Sequence, residues 1–196
     1  MTVGSMALER FPMPPRPAEA RPPYAMGLVA IIASVTMLFV AFTAALLIRR
    51  TAPDWVPIDL PGILWWNTGV ILASSLTMEF SRRAIRRGAT ALAERWTAGA
   101  FGLGVVFLGG QTAAWLVLVE KGVFLPSSPY ASFFYLLSAV HGCHLIGGLV
   151  ALGWCWRKLR AGAYGAFGHR GLGHAAIYWH FVGGLWLYVF FMLGAL

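Results

Sequence analysis

Five uninterrupted apolar stretches, each close to the length of a membrane-crossing helix, run through this chain and leave few architectures open. They cover Met26–Ile48, Leu60–Phe80, about Thr97–Val119, Ala131–Trp156 and about Ala175–Leu196. A spanning helix needs about 20 predominantly apolar residues, and in lipid only helices and closed barrels satisfy their own backbone. The composition points the same way: of 196 residues, 59% are hydrophobic and 11% charged, whereas a soluble domain is about 25% charged. The sequence therefore predicts an all-α integral membrane bundle of five transmembrane helices spanning residues 25–196. Residues 1–24 precede it and hold six of the eleven prolines. With no apolar run to serve as a secretory signal, they read as a retained, unfolded or polyproline-like cytoplasmic arm.

The net charge of +8 resembles a nucleic-acid signal, but its placement excludes that reading. The basic residues sit in short segments between apolar stretches, where lipid and topology account for them. Arg10, Arg16 and Arg21 precede the first stretch; Arg82, Arg83, Arg86, Arg87 and Arg95 follow the second; Arg157, Lys158, Arg160 and Arg170 follow the fourth. The opposite side has Arg49, Arg50 and Lys121, offset by Asp54, Asp59 and Glu120. The positive-inside rule then sets the N-terminus in the cytoplasm and the C-terminus outside, in a multi-pass protein of a bacterial inner membrane. Trp55, Trp65 and Trp66 fit an aromatic belt at the outer interface.

Small residues recur four apart at Ala98/Gly102, Gly109/Ala113, Gly110/Ala114, Ser138/Gly142 and Gly147/Ala151, which predicts close packing of the third and fourth helices. Short loops predict antiparallel packing of sequence neighbours. Cys143 and Cys155 lie about 18 Å apart along one helix, too far for a bridge, and read as small buried hydrophobes.

Polar groups at membrane depth are costly, so they carry the information. The candidates are Asn67, Thr68 and Glu79 in the second stretch, Gln111 in the third, His141 and His144 in the fourth, and Tyr178 and His180 in the fifth. His141 and His144, three apart, share a helix face. The residues alone leave three readings: structural histidines bonded to neighbouring helices, a haem or metal site completed by His180, or proton handling. Depth argues against a shared haem, because His144 would lie about 18 Å and His180 about 8 Å above the inner ends of their helices. Gln111 reads as an interhelical amide, and Glu79 as an ion-pair partner of Arg82 and Arg83. The Arg82–Arg87 cluster fits anionic head groups or topology alone. No carboxylate lies in mid-span to relay protons, and no broken helix or inverted repeat suggests a transporter.

Two motifs then identify a relation. HGCHLIGG (His141–Gly148) resembles the His-Gly-x-His segment in the penultimate helix of subunit III of haem-copper oxidases, and YWHFVGGLWLYVFF (Tyr178–Phe191) resembles that subunit's last helix. NTGVILASS (Asn67–Ser75) and FLGGQTAAW (Phe107–Trp115) match in order before them. The resemblance, to the five-helix form, runs from about Met26 to the C-terminus. It implies a non-catalytic accessory subunit of a respiratory terminal oxidase, packed on subunit I, with subunit II and others beyond, holding structural phospholipid. Haem and copper are then expected in partner subunits and none in this chain. Carried over by position, Gln111, His141, His144 and His180 form a structural polar set. Tyr178 and Trp179 are placed at the inner interface near lipid head groups, Arg82, Arg83, Arg86 and Arg87 of the basic cluster join them as lipid or interface candidates, and none of these residues is catalytic. Three acids usual in the family are replaced here by Val35, Ala114 and Gly183. A partner of a quinol oxidase or nitric-oxide reductase, or a small b-type cytochrome, stand as alternatives.

Overall fold

A computed structural model describes residues 23–164 and 170–195, all helices and connecting turns. The helices are α1 (Pro23–Arg49), α2 (Ile63–Arg86), α3 (Thr90–Glu120), α4 (Pro129–Arg160) and α5 (Arg170–Gly194). The expectation for residues 1–22 lies outside the described residues, while Pro23 and Tyr24 already belong to α1. Four of the five helices, all but α2, are long and apolar enough to cross a membrane. The connectivity gathers the C-termini of α2 and α4 and the N-termini of α1, α3 and α5 at one end, hereafter the basic end. The link bearing Trp55, with Trp65 and Trp66 at the start of α2, and the turn after α3 lie at the other, the tryptophan-bearing end.

The helices outrun the apolar stretches at the basic end. With 31 and 32 residues, α3 and α4 reach about 46–48 Å, against about 30 Å of hydrocarbon. The segment between the second and third stretches is therefore no separate surface helix. Instead α2 continues to Arg86 and α3 starts at Thr90, leaving a three-residue turn. That turn is stopped chemically. Gly88 takes φ +76°, Gly88 N donates to Ile85 O at 3.0 Å, and Ala89 N to Ala84 O at 3.0 Å. These are the two closing bonds of a Schellman motif, which needs a left-handed residue at the helix end. Gly122 and Gly162 close α3 and α4 in the same way. At its start α4 is capped by Ser128, whose Oγ accepts from Ala131 N at 3.1 Å, with Pro129 in the first turn, where its missing N–H costs nothing.

Neighbours in sequence pack together for α2 with α3, α3 with α4 and α4 with α5, as short turns require. The exception is the first pair. Among the described residues α1 touches α4 and α5 and makes no contact with α2. Residues 50–62 carry the chain across the end of the bundle, where the Trp55 ring sits 5.4 Å from Tyr130 and 6.3 Å from Phe133 of α4. Anchored there, the link delivers α2 to the far side.

The largest interface joins α2 and α3. Of the small-residue pairs, Gly110/Ala114 faces inward: Ala114 is fully buried, and any Cβ on Gly110 would collide with the Asn67 side chain. Gly102 and Gly109 face outward with open space around them. Cys155 is buried, but Cys143 is exposed, correcting the expectation that both are enclosed.

Candidate functional site

Serines, threonines and tryptophans tie the bundle together in layers. Nearest the tryptophan-bearing end, Trp186 Nε1 of α5 donates to Thr68 Oγ1 of α2 at 3.0 Å, and Asn67 Nδ2 donates to the Phe107 carbonyl of α3 at 3.0 Å. Nearer the middle, Trp179 Nε1 donates to Ser74 Oγ at 3.0 Å, and that hydroxyl donates to the Ala100 carbonyl at 2.8 Å. One serine thus joins three helices. The Trp179 ring lies in a slot made by absent side chains. A Cβ on Gly104 would meet its Cη2 at 2.6 Å, and one on Gly148 its Cε3 at 3.0 Å. Toward the basic end, Ser81 shares a 2.7 Å bond with Thr97 and donates to the Ala93 carbonyl at 3.0 Å. With no hydrophobic drive between helices in lipid, such bonds and close contacts are what hold a bundle.

The expected polar set is placed differently. His141 is fully enclosed, its ring 5.9 Å from Phe107 and 5.3 Å from Trp186. His144, one position round the helix, is half-buried; its Nδ1 lies 2.8 Å from the Val140 carbonyl of its own helix and its ring 5.9 Å from Phe39 of α1. The two therefore look toward different neighbours rather than sharing a surface. His180 approaches neither of them; its Nε2 is 4.0 Å from Glu79 Oε2 of α2. The expected difference in depth is not upheld, because Tyr178 donates to the His144 carbonyl at 3.2 Å, so α5 at this point is level with His144. Helix α4 simply extends further past the basic end. Gln111 is buried, and neither its amide nor the His141 imidazole finds a protein partner, which corrects the expectation that both bond to neighbouring helices. Within the expected set the links between helices are His180 with Glu79 and the His144 carbonyl with Tyr178.

Glu79 pairs as the sequence predicts, 3.2 Å from Arg82 and 3.2 Å from Arg83. Those two arginines are thereby engaged, while Arg86 and Arg87 are exposed. Trp179, expected beside lipid head groups, is instead wholly buried. The positions of the replaced acids are all enclosed: Val35 is 5% and Ala114 0% exposed, and a Cβ on Gly183 would lie 3.1 Å from Ser75 Oγ. A carboxylate at any of them would need a bonded partner or a proton to be tolerated.

A different feature was not anticipated. Between α1 and the α4–α5 pair, near the basic end, lies an apolar cleft of about 720 Å³, walled by Leu28, Ile31, Val150, Ala151 and Trp154. Lys158, Tyr164, His174, Tyr178 and the Cys155 thiol are its polar members. The Lys158 ammonium stands 5.4 Å from the Trp154 ring centre and 5.8 Å from that of Tyr164. Burial, with the neighbouring Cys155 thiol, pushes the Tyr164 hydroxyl up to about 12, so it remains a donor at neutral pH. A positive group and a neutral donor beside apolar walls form a place for an amphiphile with an anionic end. No sequence spacing could have shown it, since it depends on α1 standing away from the bundle.

Comparison with known proteins covers nearly the whole described chain. A family model described as cytochrome c oxidase subunit III matches residues 23–194. The chain is 34% identical over 176 residues to cytochrome c oxidase subunit 3 of Thermostichus vulcanus, covering 86% of this chain and 85% of that one. It is 32% identical over 176 residues to the subunit 3 of Synechocystis sp., covering 85% and 73%. To that of Marchantia polymorpha it is 30% identical over 175 residues, covering 84% and 65%.

Proposed function

The chain belongs to the cytochrome c oxidase subunit III family, as a non-catalytic membrane subunit of a haem-copper oxidoreductase complex, and from that premise we propose how it serves the complex. It covers and steadies the catalytic subunit I, its main contact, with subunit II and further subunits beyond, and it retains phospholipid at their junction. Haem and copper reside in the partner subunits. In this reading α2 also spans the membrane, giving five spans. Its polar residues Asn67, Thr68, Ser74 and Ser81 are turned inward, so the helix can meet lipid or partner with an apolar side. The basic end faces the cytoplasm of a bacterial cell, because Arg82–Arg87, Arg95 and Arg157–Arg160 gather there.

The observation that carries the lipid role is the cleft beside α1. Its walls suit acyl chains, and Lys158 with the Tyr164 hydroxyl suits a phosphate. The replacement of three family acids by Val35, Ala114 and Gly183 favours steadying over direct proton handling.

The test is to purify the tagged chain in mild detergent, identify its companions, record a redox difference spectrum and weigh the bound lipids by native mass spectrometry. Subunit I should accompany it and carry the haem signal, and Lys158→Glu should lose bound anionic phospholipid while still assembling. Absence of subunit I under every gentle condition would sink the accessory role, and undiminished lipid in Lys158→Glu would sink the cleft. A haem band from the isolated chain, abolished in His141 or His144 variants, would replace both with a b-type cytochrome.

A further inference from the structure

Gln111 and His141 are 4% and 0% exposed, and all four of their polar side-chain atoms lack a protein hydrogen-bond partner. Two contacts fix the register of the helices that carry them. Trp115 Nε1 of α3 donates to Ser138 Oγ of α4 at 3.1 Å, and toward the basic end, about two turns along α3 and one along α4, a Cβ on Gly142 would lie 4.0 Å from Leu108. Antiparallel helices pinned at those two points bring Gln111 and His141 to one level of the seam between them. The surrounding polar groups at this level are satisfied: Trp186 by Thr68, Asn67 by the Phe107 carbonyl, and Ser138 by Trp115 and the Phe134 carbonyl. Two orphans at one level of an otherwise completed layer are unusual, because a buried donor or acceptor without a partner carries its full desolvation penalty.

We propose that Gln111 and His141 together bind one buried water molecule in the α3–α4 seam. The chemistry matches: an amide and a neutral imidazole each offer a donor and an acceptor, and an internal water typically makes about three hydrogen bonds to otherwise unsatisfied groups. The Ser138 hydroxyl, one turn from His141, keeps an acceptor lone pair for the third. The residues one turn along are small: Ala114 beyond Gln111, Ser138 beyond His141, with Gly142 adjacent. They favour a small guest over a bulkier one. A cation is disfavoured because no group of three His, Cys, Asp or Glu side chains suited to a metal occurs among the described residues. The water joins helices whose only direct polar side-chain bond nearby, among the described residues, is Trp115 to Ser138.

The decisive measurement is a density map of the full-length chain in its native assembly, at a resolution that shows ordered water. The expected result is one peak within about 2.7–3.2 Å of both a Gln111 amide atom and a His141 ring nitrogen. A direct bond between amide and imidazole, or two side chains with nothing between them, overturns the proposal. Thermal midpoints of Gln111→Leu, His141→Phe and the double variant give a second reading. Each single change should lower the midpoint by about 2–6 °C, by stranding the other side chain with the water. The double variant should fall no further than the worse single one. Strictly additive losses would count against a shared ligand.

Discussion

Helix α1 and the α2–α3 pair sit at opposite ends of two scales, and the scales run against each other. α1 is the most apolar helix of the described chain and the one with least of its span buried in the bundle. Its specific ties are a 2.8 Å bond between Thr43 and the Tyr188 hydroxyl and the edge contact of Phe39 on His144. α2 is not apolar enough to qualify as a span on composition, yet its interface with α3 is the largest among the described residues. In water the greasier helix would be the better buried. In lipid the tails are as apolar as leucine, so oiliness drives no association, and bonds and close approach decide.

The comparison breaks most readily where packing leaves no slack. Gly104→Val places a branched side chain against the Trp179 ring, and overpacking of this kind costs about 1–3 kcal/mol or more. Displacing Trp179 also breaks its bond to Ser74, so the unfolding midpoint in detergent should fall further than for a change at Ser74 or Thr43. Ser74→Ala comes next. It strands the Trp179 N–H and removes the bond to the Ala100 carbonyl, with an expected loss of about 1–2 kcal/mol in the same assay. Thr43→Val keeps the shape of α1 but deletes its tie to Tyr188, and should cost only about 0.6 kcal/mol. A thermal loss as large as that of Ser74→Ala would mean α1 is held as firmly as α2, and the contrast would fail.

The smallest effect concerns the link after α1. Arg49 holds the Asp54 carboxyl below its ordinary value through a bidentate hydrogen bond, 2.7 Å on one arm. A depressed carboxylate contributes stability above its unfolded value near 3.8, and that contribution is lost only as pH falls through the lower folded value. The pair lies at the surface, its side chains 41% and 58% exposed, where solvent screens it, so Asp54→Asn should change thermal stability at neutral pH by less than Thr43→Val does. An NMR titration of Asp54 should show its midpoint below that of a free aspartate, and a midpoint at or above it would contradict the pairing.

The same contrast explains what could be read from sequence. Hydropathy located all five helices, because twenty apolar residues cannot be hidden elsewhere. It placed the helix ends poorly, since Arg82–Arg86 and Arg157–Arg160 end the apolar stretches without ending the hydrogen-bond ladder, which stops at Gly88 and Gly162. The Glu79 pairing was legible because it is local, three and four residues away. The ties through Ser74, Ser81, Thr97 and Ser138 were missed. Such hydroxyls look unremarkable inside an apolar run, and only the register of two helices gives them partners. A usable sign was nonetheless present, in tryptophans that must place an N–H within spans carrying serines and threonines. The packing of α1 was unreadable for a related reason: it depends on where Trp55 anchors residues 50–62, a contact distant in sequence.

The three-residue turn between α2 and α3 has a consequence for biogenesis. A helix carrying Asn67, Thr68, Ser74, Glu79 and Ser81 partitions poorly when it leaves the translocon alone. Residues 87–89 are too few to let α3 wander, so Asn67, Ser74 and Ser81 meet their carbonyl acceptors on α3 as soon as it emerges. With α2 spanning as proposed above, the pair is expected to enter the bilayer as a single hairpin, the least lipid-soluble segment admitted by the one synthesised next.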